Sequence, residues 1–125
     1  MDKMTKTIAV YGSLKPGQYN LHRFQQAYGK GSIFPIEKEG DIIHYPLKGY
    51  NLYSLGAYPG IKPGDGEVDA VLLQVSSEVF GGIDVMEIGA GYIRKEIEDP
   101  DYGQITYWEF GGQVHESELV ESGIW

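Results

Sequence analysis

The sequence predicts an α+β domain, a small mixed β-barrel with two or three short helices. Three observations point there. Eighteen glycines among 125 residues cut the chain into many short elements. Segments that read as strands outnumber the two that read as helices, and ten tyrosines suit strands or a part-polar pocket. Hydrophobic residues make up 42% of the chain, enough for one packed core in a single domain over residues 1–125.

The first strand is expected over residues 6–11, with Ile8 and Val10 on one face. It enters the turn from Gly12 to Gly17, whose backbone amides face no sheet neighbour and are free to cradle an anion or a carbonyl oxygen. Residues 18–28 carry Leu21, Phe24 and Tyr28 at helical spacing, with Asn20 as candidate N-cap and Gly29 and Gly31 as the stop. A strand follows over 32–39, where Pro35 signals an edge or a bulge. Gly40-Asp41 turns the chain into a short strand over 42–45, and residues 50–55 read as another.

Residues 56–66 read as a loop closed by the tight turn Asp65-Gly66. Residues 67–75, rich in Val and Leu, give the strongest strand signal. Ser76-Ser77-Glu78 starts a second helix that runs to Glu87, with Val79, Ile83 and Met86 on one face. Gly81-Gly82 inside it weakens the helix by roughly 2 kcal/mol relative to alanines, so packing or a close backbone contact must compensate. Residues 92–98 and 104–110 alternate and bracket Asp99-Pro100-Asp101-Tyr102-Gly103, which predicts a hairpin. A turn of helix is expected near 117–120.

Composition removes several classes of function. A net charge of −8 argues against nucleic acid or an anionic membrane as partner. The absence of cysteine excludes disulfides, thiolate catalysis and Cys-based zinc sites. No apolar run spans a bilayer, and residues 1–7 have no signal-peptide core, so a cytoplasmic setting is expected. Gly12 to Gly17 resembles a phosphate loop only superficially, because Gln18 and Tyr19 stand where Lys and Ser/Thr are required. Ser13 lacks a G-x-S-x-G elbow. His22, His44 and His115 show no metal spacing, so no metal is expected. Asp99 and Asp101 fail as a calcium loop, with Gly103 at the third ligand position, and read as a polar hairpin tip.

A carboxylate is the best remaining catalyst. Glu87 ends the second helix near the stripe of Phe80, Ile83 and Met86. It is either a core-edge carboxylate, its pKa raised by burial and fit for acid/base work, or an exposed glutamate at a helix end. Spacing alone favours the second.

Four blocks in order carry a resemblance. They are Val10-Tyr11-Gly12-Ser13-Leu14, Tyr58-Pro59-Gly60-Ile61, Ile83-Asp84-Val85-Met86-Glu87 and Tyr92-Ile93-Arg94. Together they resemble the gamma-glutamylcyclotransferase-like family, which includes gamma-glutamylamine cyclotransferases and AIG2-like proteins. The resemblance implies a small mixed barrel and a pocket in which Tyr11, Gly12, Ser13 and Leu14 bind the glutamyl end of a small-molecule substrate. It implies Glu87 as the catalytic acid/base, with Tyr58 and Tyr92 in the same pocket and no cofactor. The implied reaction releases 5-oxoproline and a free amine from a γ-glutamyl amide. Tyr11 or Tyr92 is a candidate phenol donor to the oxyanion, and Arg94 a structural partner of Asp84. The chain departs from the family pattern at Val68-Asp69-Ala70-Val71 and Gly123-Ile124-Trp125. A non-enzymatic binder of the same fold, which sequesters a small molecule, is the competing expectation.

Overall fold

A computed structural model describes residues 5–125. Within these described residues ten strands and two helices follow one another. β1 (Thr5–Val10) leads through the glycine turn to α1 (Tyr19–Tyr28). Then come β2 (Ile33–Pro35), β3 (Glu37–Lys38), β4 (Asp41–Ile42), β5 (Leu47–Ser54), β6 (Pro59–Val68) and β7 (Val71–Ser76). α2 (Ser77–Gly89), the hairpin β8 (Tyr92–Asp99) and β9 (Gly103–Phe110), a 3-10 turn at Glu116–Glu118 and β10 (Leu119–Val120) complete it. Among the described residues no helix is long and apolar enough to cross a membrane.

The class is mixed α+β, as expected. The strands form a five-stranded sheet in the order β2-β7-β1-β9-β8, a three-stranded sheet β10-β5-β6 and a two-stranded ribbon β3-β4. The ladders among the described residues do not join into one closed barrel. β1 is central, antiparallel to β7 and parallel to β9. Its side chains alternate between two cores, as a strand's period of two requires. Ile8 and Val10 pack with Val79, Ile83 and Leu21 on the helical side. Ala9 and Tyr11 pack with Leu52 and Ile61 of the three-stranded sheet. β1 therefore delivers its last residues, and the turn after it, to the seam between layers.

Several boundaries differ from expectation, each for a tertiary reason. Residues 67–75 are not one strand. The chain switches sheets at Asp69-Ala70, where Asp69 N–H donates to Gly123 O at 2.8 Å and Tyr45 N–H to Ala70 O at 2.7 Å. Residues 56–66 are mostly strand, since β6 runs through Asp65-Gly66 to Val68. The hairpin instead closes earlier, with Leu55 N–H donating to Tyr58 O at 2.9 Å. Side chains at Gly64 or Gly66 would collide with Asn51, so these glycines make room for a neighbour rather than a turn.

The segment 32–39 splits into β2 and β3, and Pro35 does end an edge strand. Of residues 42–45 only Ile42 is in a strand, while His44 makes an isolated bridge to Val71. Asn20 does not cap α1. Gln18 holds the N-cap position without a side-chain bond, because the Asn20 amide is drawn to Ser13. Ser76 does cap α2, accepting from Val79 N–H, and the helix continues to Gly89. The β8/β9 hairpin pairs from Tyr92–Phe110 to Asp99–Gly103. At its tip the Asp99 carboxylate accepts from Asp101 N–H, Tyr102 N–H and Tyr45 Oη, which hold its pKa below the ordinary value. The expected helical turn in the tail is the 3-10 turn at Glu116–Glu118, followed by β10 on β5.

Candidate active site

The turn after β1 is held by its own backbone. Lys15 N–H donates to Gly12 O at 3.0 Å, and Gln18 N–H to Lys15 O at 2.9 Å. Ser13 O accepts from Asn20 and Leu21 N–H, so the turn is fastened to the first residues of α1. Asn20 Nδ2 donates to Ser13 Oγ at 2.7 Å. The amides of Gly12, Ser13 and Leu14 meet no backbone acceptor among the described residues. Gly12 is needed for close approach and not for an unusual φ. A methyl group there would lie 2.8 Å from Pro59 Cγ, at the start of β6.

The other half of the site comes from α2 and β8. Glu87 lies in the last turn of α2, and Tyr92 opens β8. A cavity of about 230 Å3 is lined by all seven expected site residues, Tyr11, Gly12, Ser13, Leu14, Tyr58, Glu87 and Tyr92. Tyr11 and Tyr92 are 7% and 8% exposed, whereas Tyr58 is 48% exposed. Pro59, Met86, Ala90, Asn20 and Trp108 also line it. Pro59 and Met86 lie within the four sequence blocks but are not singled out there as site residues. Ala90 and Trp108 had no signal in the sequence, because they reach the cavity through tertiary packing. Asn20 carried a hint, being a polar residue just after an amide-rich turn. Among the described residues no group of three or more His, Asp or Glu gathers as a metal site.

Among the described residues Glu87 is the only charged one in the lining. Burial pushes its carboxyl up to about 7, because the charged form loses hydration with no paired cation to offset it. The core-edge alternative for Glu87 is thus the one the fold adopts. Burial, then Tyr92 and the Glu87 charge, raise Tyr11 well above its ordinary value, and burial followed by Glu87 does the same to Tyr92. Both phenols are protonated and both hydrogens are engaged. Tyr11 Oη donates to Trp108 O at 2.7 Å, and Tyr92 Oη donates to Pro59 O. A phenol has one hydrogen to give, so neither is a spare donor for an oxyanion, contrary to expectation.

Asp84, one turn before Glu87, accepts from Arg94 Nη1 at 2.9 Å and from Trp108 Nε1 at 3.0 Å. The expected Asp84–Arg94 pair is present, and Trp108 is a third member that β9 supplies. Around the departures from the family pattern, Asp69 pairs with His44 at 2.9 Å and stands 3.9 Å from Lys15 of the turn.

The family model described as gamma-glutamyl cyclotransferase, AIG2-like, matches residues 8–125. The chain belongs to this family. Among curated relatives of the AIG2-like family, the gamma-glutamylcyclotransferase family protein ytfP of Citrobacter rodentium is 33% identical over 119 residues, covering 94% of this chain and 93% of its own. Among solved structures, the uncharacterized protein PH0828 from Pyrococcus horikoshii superposes with a TM-score of 0.71 at 28% identity, over 95% of this chain and 88% of that one. The solution structure of ytfP from Escherichia coli gives a TM-score of 0.66 at 26% identity, over 98% and 96%. The AIG2-like family thus accounts for the fold.

Proposed function

We propose that this protein is a cytoplasmic γ-glutamyl cyclotransferase that releases 5-oxoproline and a free amine from a small γ-glutamyl amide. One observation carries the reading. A lone half-buried carboxylate, poised to titrate near neutral pH, shares a cavity with three backbone amides that meet no backbone acceptor among the described residues. The amides of Gly12, Ser13 and Leu14 receive the α-carboxylate of the glutamyl group, a role that backbone N–H groups at a turn perform without a cation.

The reaction is intramolecular. Glu87 takes a proton from the α-ammonium. The freed nitrogen lone pair attacks the γ-carbonyl carbon and closes a five-membered ring. The bond from that carbon to the leaving nitrogen breaks as protonated Glu87 returns its proton to the departing amine. The ring nitrogen, which still carries two hydrogens, gives one to the Glu87 carboxylate, which passes it to solvent and leaves the lactam with a single N–H. One carboxyl group serves as base and then as acid. Because the nucleophile is tethered to the electrophile, holding the folded-back conformer supplies much of the acceleration. The wall formed by Tyr58, Pro59, Met86 and Ala90 carries no charge, which suits an amine without a carboxylate.

The test is to incubate the protein with γ-glutamyl alkylamines, γ-glutamyl dipeptides and glutathione and to look for 5-oxoproline by mass spectrometry. Release that vanishes in Glu87→Gln supports the reading. No release from any substrate overturns it and leaves a small-molecule binder of the same fold.

A further inference from the structure

We infer that Tyr92 is the anchor for the substrate's ammonium group: its phenol oxygen accepts a hydrogen bond from the free α-amine and so selects ligands in which that amine is unmodified. The identity of the ligand rests on the reading above. The polarity of the phenol does not.

A phenol has a single hydrogen to donate. That of Tyr92 is committed to the Pro59 carbonyl. The ring is also fixed edge-on against Phe110, with centroids 5.4 Å apart. What Tyr92 offers to the cavity is therefore a lone pair at a preset position. Among the described residues no donor reaches that oxygen. Tyr11 differs. Its oxygen donates to Trp108 O and takes a hydrogen bond from the Ile61 backbone, so it is satisfied on both sides by the protein. The two buried tyrosines of the cavity thus divide into one that ties β1 to β6 and β9 and one that is left with an open acceptor.

The acceptor has a companion. Ionised Glu87 is acceptor-only, lies near enough to Tyr92 to raise it electrostatically, and has no cation in the cavity lining. An acceptor pair without a cation gains from one. Elsewhere in the same cavity lining the amides of Gly12, Ser13 and Leu14 meet no backbone acceptor among the described residues. An α-amino-acid head presents an anion and a cation on one carbon, which is the complement of such a lining. When Glu87 removes one proton from the ammonium, two N–H bonds remain. Tyr92 holding one of them limits rotation about the Cα–N bond and directs the new lone pair.

The test compares γ-L-glutamyl-n-butylamide with N-butylglutaramate, which differs only in lacking the α-amine. Affinities are measured by calorimetry in the Glu87→Gln protein, where the amide stays intact, and again with Tyr92→Phe added. The amine ligand is expected to bind about tenfold tighter or more than its partner, and Tyr92→Phe to remove most of that ratio. If Tyr92 only packed against the site without accepting from the amine, Tyr92→Phe would weaken both ligands equally and leave the ratio untouched. A ratio that survives Tyr92→Phe, or a ratio near one before it, overturns the assignment. Should the double variant not fold, the α-trimethylammonium analogue replaces it. That ligand keeps the charge but has no N–H, so it is expected to bind no better than N-butylglutaramate, and tight binding of it overturns the assignment. Release of 5-oxoproline by the unsubstituted protein is assayed in parallel. A lost ratio without release removes the catalytic reading and keeps the anchor. Release with an unchanged ratio does the reverse, and failure of both ligands to bind together with no release from any substrate removes both.

Discussion

Asp84 accepts the indole N–H of Trp108 over 3.0 Å, and its second oxygen closes on Arg94 at 2.9 Å. A single carboxylate thus ties the end of α2 that bears Glu87 to both strands of the β8/β9 hairpin. Asp84→Ala is expected to lower stability by about 1–3 kcal/mol in urea unfolding, since it strands a mostly buried indole N–H and an arginine. Arg94→Ala should cost under about 1 kcal/mol, because that side chain is 44% exposed and its charge is hydrated when released. Asp84→Asn, which still accepts from Trp108, should fall between them. Equal losses from all three would mean that the carboxylate is not the tie.

Activity should follow the ionisation of Glu87. The carboxyl must start charged to take the ammonium proton, and burial holds it at about 7. On the proposed mechanism kcat/KM rises with unit slope below that pH and levels above it, so that activity at a pH one unit lower is about a tenth of the plateau. A profile flat across this range would remove Glu87 as the base.

The same burial has a consequence for stability. Glu87 titrates near 4.5 when unfolded and at about 7 when folded. Below the lower value both states hold the proton and nothing is lost. Between the two values the folded state keeps a proton that the unfolded chain has released, so stability falls as pH rises, and the loss is complete above the upper value. At about 1.4 kcal/mol per pKa unit the span is about 3 kcal/mol. Glu87→Gln removes this titration. It is expected to match the unsubstituted protein in mildly acidic urea and to exceed it by up to about 3 kcal/mol at mildly alkaline pH. A variant less stable at every pH would contradict a desolvated, unpaired carboxylate.

The local features of the site were legible in the sequence. A strand that ends in Tyr11-Gly12-Ser13-Leu14 shows its own turn, and Glu87 sits where a helix with two glycines runs out. What stayed hidden depends on partners distant in the chain. The apolar run at 67–75 reports burial but not which sheet supplies it, so the switch at Asp69-Ala70 cannot be seen locally. Gly64 and Gly66 look like turn residues because nothing nearby reveals Asn51 against them. Tyr92 carries a hydroxyl in the sequence, but only the Pro59 carbonyl decides whether it is a donor or an acceptor. The same holds for Asn20 and Trp108, which become part of the cavity through α1 and β9.

The paired glycines of α2 should respond differently to alanine. A methyl group at Gly81 meets nothing within 4 Å, whereas one at Gly82 lies 3.3 Å from Tyr28 Oη of α1. Gly81→Ala should therefore stabilise the protein by about 1 kcal/mol, through helix propensity and a less flexible unfolded chain. Gly82→Ala gains the same propensity but must displace Tyr28, so its melting temperature should fall below that of Gly81→Ala. A reversed order would place the α1–α2 contact elsewhere.

Gly12→Ala tests whether the turn and the phenol are mechanically connected. The added methyl would stand 2.8 Å from Pro59 Cγ and 3.0 Å from Pro59 Cδ, too close for the ring to remain in place. Overpacking of this kind costs about 1–3 kcal/mol. The Pro59 carbonyl also holds the Tyr92 hydroxyl, so a displaced Pro59 loosens the acceptor as well as the wall. The variant should lose stability in that range and lose discrimination for the α-amine with it, as calorimetry with γ-L-glutamyl-n-butylamide and N-butylglutaramate would read. Gly17 also lies in the turn, but a methyl there meets nothing within 4 Å and its φ of +85° penalises a side chain through the backbone alone. Gly17→Ala should therefore destabilise the fold while leaving the preference for the amine ligand intact. If both variants lose the preference equally, Pro59 is not the link between the turn and Tyr92.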